Sequence, residues 1–136
     1  LAALTPPARL LVADDNRDAA DSLAMLLRIH GNEVHTVYDG ADAVDSAARL
    51  RPDAVLLDIG MPRLNGYDAC RQIRDGAEGR EMLVIAMTGW GQDHDRRRTS
   101  EAGFDAHLVK PVDPAELMAL IASKRPRARV ALNRTE

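Results

Sequence analysis

Five polar side chains follow apolar runs. Asp14 and Asp15 come after Leu10-Leu11-Val12-Ala13, and Asp58 after Ala54-Val55-Leu56-Leu57. Thr88 follows Met82-Leu83-Val84-Ile85-Ala86-Met87, and Lys110 follows Ala106-His107-Leu108-Val109. Carboxylates brought close together repel and raise one another's pKa. Lys110 offsets only one of three such charges. The remaining excess suits a hard divalent cation, which prefers oxygen ligands and keeps several waters. The set therefore predicts Mg²⁺ (or Mn²⁺) on Asp15 and Asp58 directly, on Asp14 through water, and on the Gly60 carbonyl. A carboxylate beside such an ion can act as a nucleophile toward a phosphoryl group, giving an acyl phosphate. That chemistry needs mostly positioning and charge stabilisation. The metal and Lys110 would supply both, and the Thr88 hydroxyl would bond a phosphoryl oxygen.

These residues can meet only if the runs before them lie side by side. The runs apolar on both faces read as central parallel strands, and Glu33-Val34-His35-Thr36-Val37 alternates like an edge strand. Helical spacing separates them. Leu23, Leu26 and Leu27 mark one helix, with Gly31 as its stop. Ala41, Val44, Ala47 and Ala48 mark a second, closed by Pro52, and Ala69, Cys70 and Ile73 a third. Residues 96–102 form a polar fourth helix ending at Gly103. Asp113-Pro114-Ala115-Glu116 opens a fifth, with Asp113 as cap, Pro114 at the first helical position and Leu117, Leu120 and Ile121 as its buried stripe. Five strands alternating with five helices predict an α/β fold: a doubly wound parallel sheet of order 2-1-3-4-5. In such sheets ligands bind outside the carboxyl ends of the strands, where the winding reverses. Strands 1 and 3, with Asp14, Asp15 and Asp58, flank that point.

The 136 residues suit one domain, and a 46% apolar share with only 3% aromatics implies an aliphatic core. The net charge of −3 argues against bulk binding to nucleic acid or an anionic membrane. Cys70 is the only cysteine, which fits a reducing compartment. No apolar run reaches the roughly 18 residues of a membrane span. We expect residues 1–8 to be a tail, 9–123 the domain, and 124–136 a basic tail or linker. The missing initiator Met reads as a fragment of a longer chain or a processed protein.

Taken together, Asp14-Asp15, Asp58, Met61-Pro62-Arg63-Leu64-Asn65-Gly66, Thr88-Gly89 and Lys110-Pro111 make the chain resemble the receiver domain of two-component response regulators, a flavodoxin-like fold. The resemblance implies that a histidine kinase or phosphotransfer domain donates its phosphoryl group to Asp58. It further implies Mg²⁺ on the acid triad and a cis peptide between Lys110 and Pro111. It implies self-catalysed phosphorylation and dephosphorylation rather than an ordinary enzyme. The output would be a downstream protein read by helix 4, strand 5 and helix 5. A cytoplasmic monomer or weak dimer is expected, with no nucleic-acid or membrane contact by this domain. The stretches Thr88-Gly89-Trp90-Gly91-Gln92 and Gly103-Phe104-Asp105 are similar to receivers at the end of hybrid sensor kinases.

Departures from the pattern bear on the switch. His107 stands where many receivers carry Tyr or Phe, either as a packing ring or as a pH-sensitive one, because imidazole titrates near neutrality. In similar receivers the positions of Gly60 and Trp90 tune loss of the phosphoryl group. Gly60 offers no side chain to orient water, and Trp90 either shields the site or simply covers the loop, so a long-lived phosphorylated state is expected. His30, His35, His94 and His107 lack metal-ligand spacing. Cys70 reads as a packing residue, and Arg96-Arg97-Arg98 as a solvated face.

Three other functions fit these residues less well. A haloacid-dehalogenase-like phosphatase would carry its nucleophile after strand 1 in an Asp-x-Asp pattern, whereas Asp58 follows strand 3 and Gly60 replaces the second acid. A dinucleotide carrier would need G-x-G-x-x-G after strand 1, where Asp14-Asp15-Asn16 would repel a phosphate. A degenerate receiver that only docks partners would lack part of the acid, Thr and Lys set, which is complete here.

Overall fold

The computed structural model describes residues 7–89 and 96–124. The strands are β1 (Arg9–Ala13), β2 (Glu33–Val37), β3 (Ala54–Asp58), β4 (Leu83–Thr88) and β5 (Ala106–Val109). The helices between and after them are α1 (Arg17–Ile29), α2 (Gly40–Leu50), α3 (Gly66–Asp75), α4 (Arg96–Ala102) and α5 (Pro114–Lys124). All strand pairs are parallel, in the order β2-β1-β3-β4-β5. The predicted doubly wound sheet is therefore the observed one, with the wetter strand β2 at an edge.

Strand side chains alternate between faces, which divides the core in two. On one face Leu11, Val55, Leu57, Val84 and Ala86 pack against α2, α3 and α4. On the other, Leu10, Val12, Leu56, Ile85 and Met87 pack against α1 and α5. The central strands are buried on both faces, hence their unbroken apolar runs.

Asn16, Asp39 and Asn65 cap α1, α2 and α3, their side chains accepting from the backbone N–H groups of Ala19, Asp42 and Asp68. At α5, Asp113 accepts from the Ala115 amide at 2.9 Å, so the predicted cap is in place. Gly31, at φ 93°, follows the C-cap of α1 as expected. α2 also stops as expected, just ahead of Pro52. The helix ends at Leu50, and Arg51 takes the left-handed conformation at φ 49° ahead of Pro52.

One helix face is turned from the predicted stripe, and in two others a single predicted residue falls outside the buried set. In α2, Gly40, Ala43, Ser46 and Ala47 are buried, whereas Ala41 and Ala48 are exposed. The small Gly40 sets this rotation, because it lies against the Leu64 backbone where a Cβ would collide. In α1, Ala20, Leu23, Ala24 and Leu27 face the sheet, while Met25, Leu26 and Ile29 are exposed at 63%, 46% and 74%. In α5, Leu117 and Ile121 are buried and Leu120 is only half-buried. No described helix is long and apolar enough to cross a membrane.

Cys70 is buried in the α2–α3 core, and burial pushes its thiol up to about 11. A folded pKa above the unfolded value adds stability that is complete below the unfolded value and lost as pH rises through the folded one. Unfolding in urea between pH 9 and about 11 should show stability falling more in wild type than in Cys70→Ala. Equal slopes would contradict the burial argument.

The loop from Asp58 to Gly66 must pass very close to α3. A Cβ on Gly66 would lie 2.6 Å from the Ile59 Cα and 2.7 Å from the Asp58 carbonyl oxygen. Gly66→Ala should therefore cost about 1–3 kcal/mol in urea unfolding, the usual range for overpacking. Gly76→Ala, whose Cβ would meet only the Ile73 carbonyl at 3.3 Å, should cost far less. Similar losses in the two variants would sink the steric reading.

Candidate functional site

Strand register brings the polar residues to one end of the sheet. Asp58 closes β3 opposite Met87, and Thr88 closes β4 opposite Val109, one residue before Lys110. The Lys110 amide donates to the Thr88 carbonyl at 2.7 Å. The Asp14 amide donates to the Val37 carbonyl at 3.2 Å, which extends the β1–β2 ladder to the first acid. The Lys110–Pro111 peptide is cis.

Each of Asp14, Asp15 and Asp58 offers a carboxylate oxygen, and these oxygens lie within 4.8 Å of one another. The three acids differ in setting. Asp14 is 2% exposed and Asp58 6%, whereas Asp15 faces solvent. Asp14 takes the Asn16 amide on Oδ1 at 3.0 Å and the Lys110 ammonium on Oδ2 at 2.7 Å. Asp58 takes the Gly60 amide on Oδ1 at 2.9 Å, and its Oδ2 is 3.3 Å from Lys110 Nζ. One ammonium thus bridges the two buried carboxylates.

Burial pushes the Asp14 carboxyl above its ordinary value, and the hydrogen bond and charge of Lys110 only partly oppose this. For Lys110, burial favours the neutral amine. The Asp14 hydrogen bond and the charges of Asp58 and Asp14 outweigh it, so its pKa is raised. Lys110 is therefore a cation at neutral pH.

The cluster is a hard-oxygen donor set with excess negative charge, which fits Mg²⁺. Thr88 is buried beside it, its hydroxyl donating to the Leu108 carbonyl at a long 3.5 Å. His107 is half-buried and lies opposite Ala86 in the β4–β5 pairing. Gly60 is placed by its amide on Asp58, while Trp90 lies outside the described residues. Asn16 was not singled out from the sequence. It caps α1 with its side chain and holds Asp14 with its backbone amide. An Asn just before an apolar helical pattern is the cap signal that would have found it. Beside Asp14 and Lys110, an apolar cavity of about 350 Å³ is walled by Leu23, Leu26, Met87, Pro111 and Val112.

Residues 10–122 match the family model of the response regulator receiver domain. The chain belongs to that family. Response regulator MprA of Mycobacterium sp. strain KMS is 39% identical to this receiver over 129 residues, 95% of this chain and 52% of the relative. The receiver thus spans about half the length of the curated relatives it matches. Among solved structures, it is similar to the receiver domain of a sensor histidine kinase from Pseudomonas aeruginosa PAO1. The two are 37% identical with a TM-score of 0.76, over 85% of this chain and 95% of that one. That structure holds a magnesium ion in its active site cleft. A chemotaxis protein of Vibrio cholerae shares the fold at 22% identity and TM-score 0.77, covering 87% of this chain and 98% of that one.

The buried Asp14 gives a pH test of the site. Its folded pKa is raised, so its contribution to stability is full below the ordinary carboxylate range and is lost as pH rises through the folded value. At pH 7 the ionised side chain is a liability. In EDTA, Asp14→Asn should therefore be more stable than wild type at pH 7. The gain should vanish as pH falls below about 4. Urea unfolding across that range measures it, and a less stable Asp14→Asn at pH 7 would refute the assignment.

Proposed function

We propose that this receiver is a phosphorylation switch whose acceptor is Asp58, loaded from the phosphohistidine of a histidine kinase or phosphotransfer domain. The carrying observation is the site itself: three carboxylates within 4.8 Å, with one lysine bridging the two buried ones. In the transfer, an Asp58 carboxylate oxygen attacks phosphorus. The P–N bond to the donor imidazole breaks, and its electron pair leaves with that nitrogen.

Asp15 and Asp58 directly, Asp14 through water and the Gly60 carbonyl would hold Mg²⁺ or Mn²⁺. Such an ion neutralises charge on the phosphoryl oxygens. The chain's own residues do the rest. The Gly60 amide fixes the rotation of Asp58. Lys110 supplies positive charge against the incoming group. Thr88 gives up its long bond to the Leu108 carbonyl and donates to a phosphoryl oxygen instead. Lys110 and Thr88 thereby make both phosphorylation and the later hydrolysis self-catalysed.

The change at Thr88 runs to α4, β5 and α5, with His107 as the side chain that responds, and a downstream protein reads that surface. Gly60 places no side chain near the acceptor to orient water, which favours a long-lived phosphorylated state, with Trp90 as the second tuning position. The switching unit is residues 9–123, flanked by tails at 1–8 and 124–136. It works in the cytoplasm as a monomer or weak dimer, alone or within a hybrid kinase, without touching nucleic acid or membrane itself.

Incubation with Mg²⁺ and a small acyl-phosphate donor should add the mass of one phosphoryl group. EDTA or Asp58→Asn should abolish the gain. Lys110→Met should slow it on the order of 100-fold, the scale of one lost electrostatic contact. An undiminished gain in Asp58→Asn would overturn the acceptor assignment.

A further inference from the structure

Arg74, the penultimate residue of α3, is a largely buried charge that the acceptor chemistry does not use. Its side chain is 17% exposed. A guanidinium has five N–H donors in a rigid fork, and all five are committed here. Nη1 donates to the Gly79 and Met82 carbonyls at 2.7 and 2.6 Å. Nε and Nη2 donate to the Gly103 carbonyl at 2.9 and 2.6 Å, and Nη2 also donates to Asp105 Oδ2 at 2.7 Å. One side chain thus ties α3 to the α3–β4 connection and to the turn between α4 and β5.

The far side of that turn is tied as well. Asp105 Oδ2 accepts the Val84 amide at 2.9 Å, and the Asp105 amide donates to the Val84 carbonyl at 2.8 Å. Phe104 packs edge-on against Tyr67 of α3, with ring centroids 6.3 Å apart. Gly103 is fitted to the fork: its φ is 103°, and a Cβ there would meet the Arg74 Cγ at 3.0 Å. At the other end, α4 is reached along the chain from Thr88, at the acceptor site.

We infer that Arg74 is a positioning residue for the switch, holding the Gly103 end of α4 as a fixed pivot so that displacement entering from Thr88 becomes rotation of the helix. This rests on the proposed switch at Asp58. A guanidinium holding carbonyls from two separate connections can do this. A lysine, with a point charge and no fork, cannot span them.

The test compares backbone amide shifts in the wild-type chain and Arg74→Met, with Mg²⁺ alone and with Mg²⁺ plus beryllofluoride. In wild type, shifts across Arg97–Ser100 should exceed those across Gly103–Asp105 by about threefold, since a pivot moves least. In Arg74→Met that ratio should fall to about one, while phosphoryl uptake on Asp58 by mass stays within about twofold, because no acceptor contact is lost. Gly103→Ala displaces the fork with its charge intact and should lower the ratio too. It serves as the second variant if Arg74→Met does not fold. Equal shifts at both ends of α4 in wild type would overturn the pivot, whatever the variants do. So would an unchanged ratio in a folded variant. The mass readout separates the two ideas: uptake on Asp58 with even shifts defeats only the pivot, whereas no uptake defeats the acceptor reading and the pivot with it.

Discussion

The Lys110 ammonium lies 2.7 Å from Asp14 and 3.3 Å from Asp58, and it makes two buried carboxylates compatible with a folded chain. Burying one unpaired charge costs several kcal/mol, and here two like charges share a crevice. The rest of the structure can be read as what is needed to bring that lysine there. β5 must lie beside β4, β4 beside β3 and β3 beside β1, in parallel and in register, so that residues distant in sequence end at one edge. The site remains net acidic even so, which is why it suits a divalent cation.

Positioning is done largely by the backbone. Asp14 and Asp58 each accept the amide two residues ahead, from Asn16 and Gly60. Both acids are thereby turned before any ligand arrives. Gly66 lets α3 begin almost in contact with the Asp58 carbonyl, and Gly40 lets α2 approach Leu64. The placement of the loop after Asp58 therefore depends on glycines that carry no chemistry.

Much of this was legible in the sequence, because both-face burial writes itself as unbroken apolar runs. Every strand and the sheet order followed from those runs and from the alternation of elements, and so did the meeting of Asp14, Asp15, Asp58 and Lys110. The failures share a cause. Ala41 and Ala48 are exposed, and the rotation of α2 is set by Gly40 against a backbone distant in sequence, which periodicity does not register. Leu26 and Leu120 sit at the margins of their stripes, where helical spacing does not decide exposure. The five bonds of Arg74 were invisible, since most of its acceptors are main-chain carbonyls that any residue could supply.

The sheet also works as a partition. Side chains of one core never mix with those of the other, because the backbones of β1, β3 and β4 stand between them. Energetic coupling between substitutions decays when they share no partners. The α1–α5 layer and the α2–α3–α4 layer can therefore accumulate changes on separate accounts. A lineage can reshape the helices on one side of the molecule while those on the other keep their packing. Only the strand ends that carry the acids, Thr88 and Lys110 answer to both.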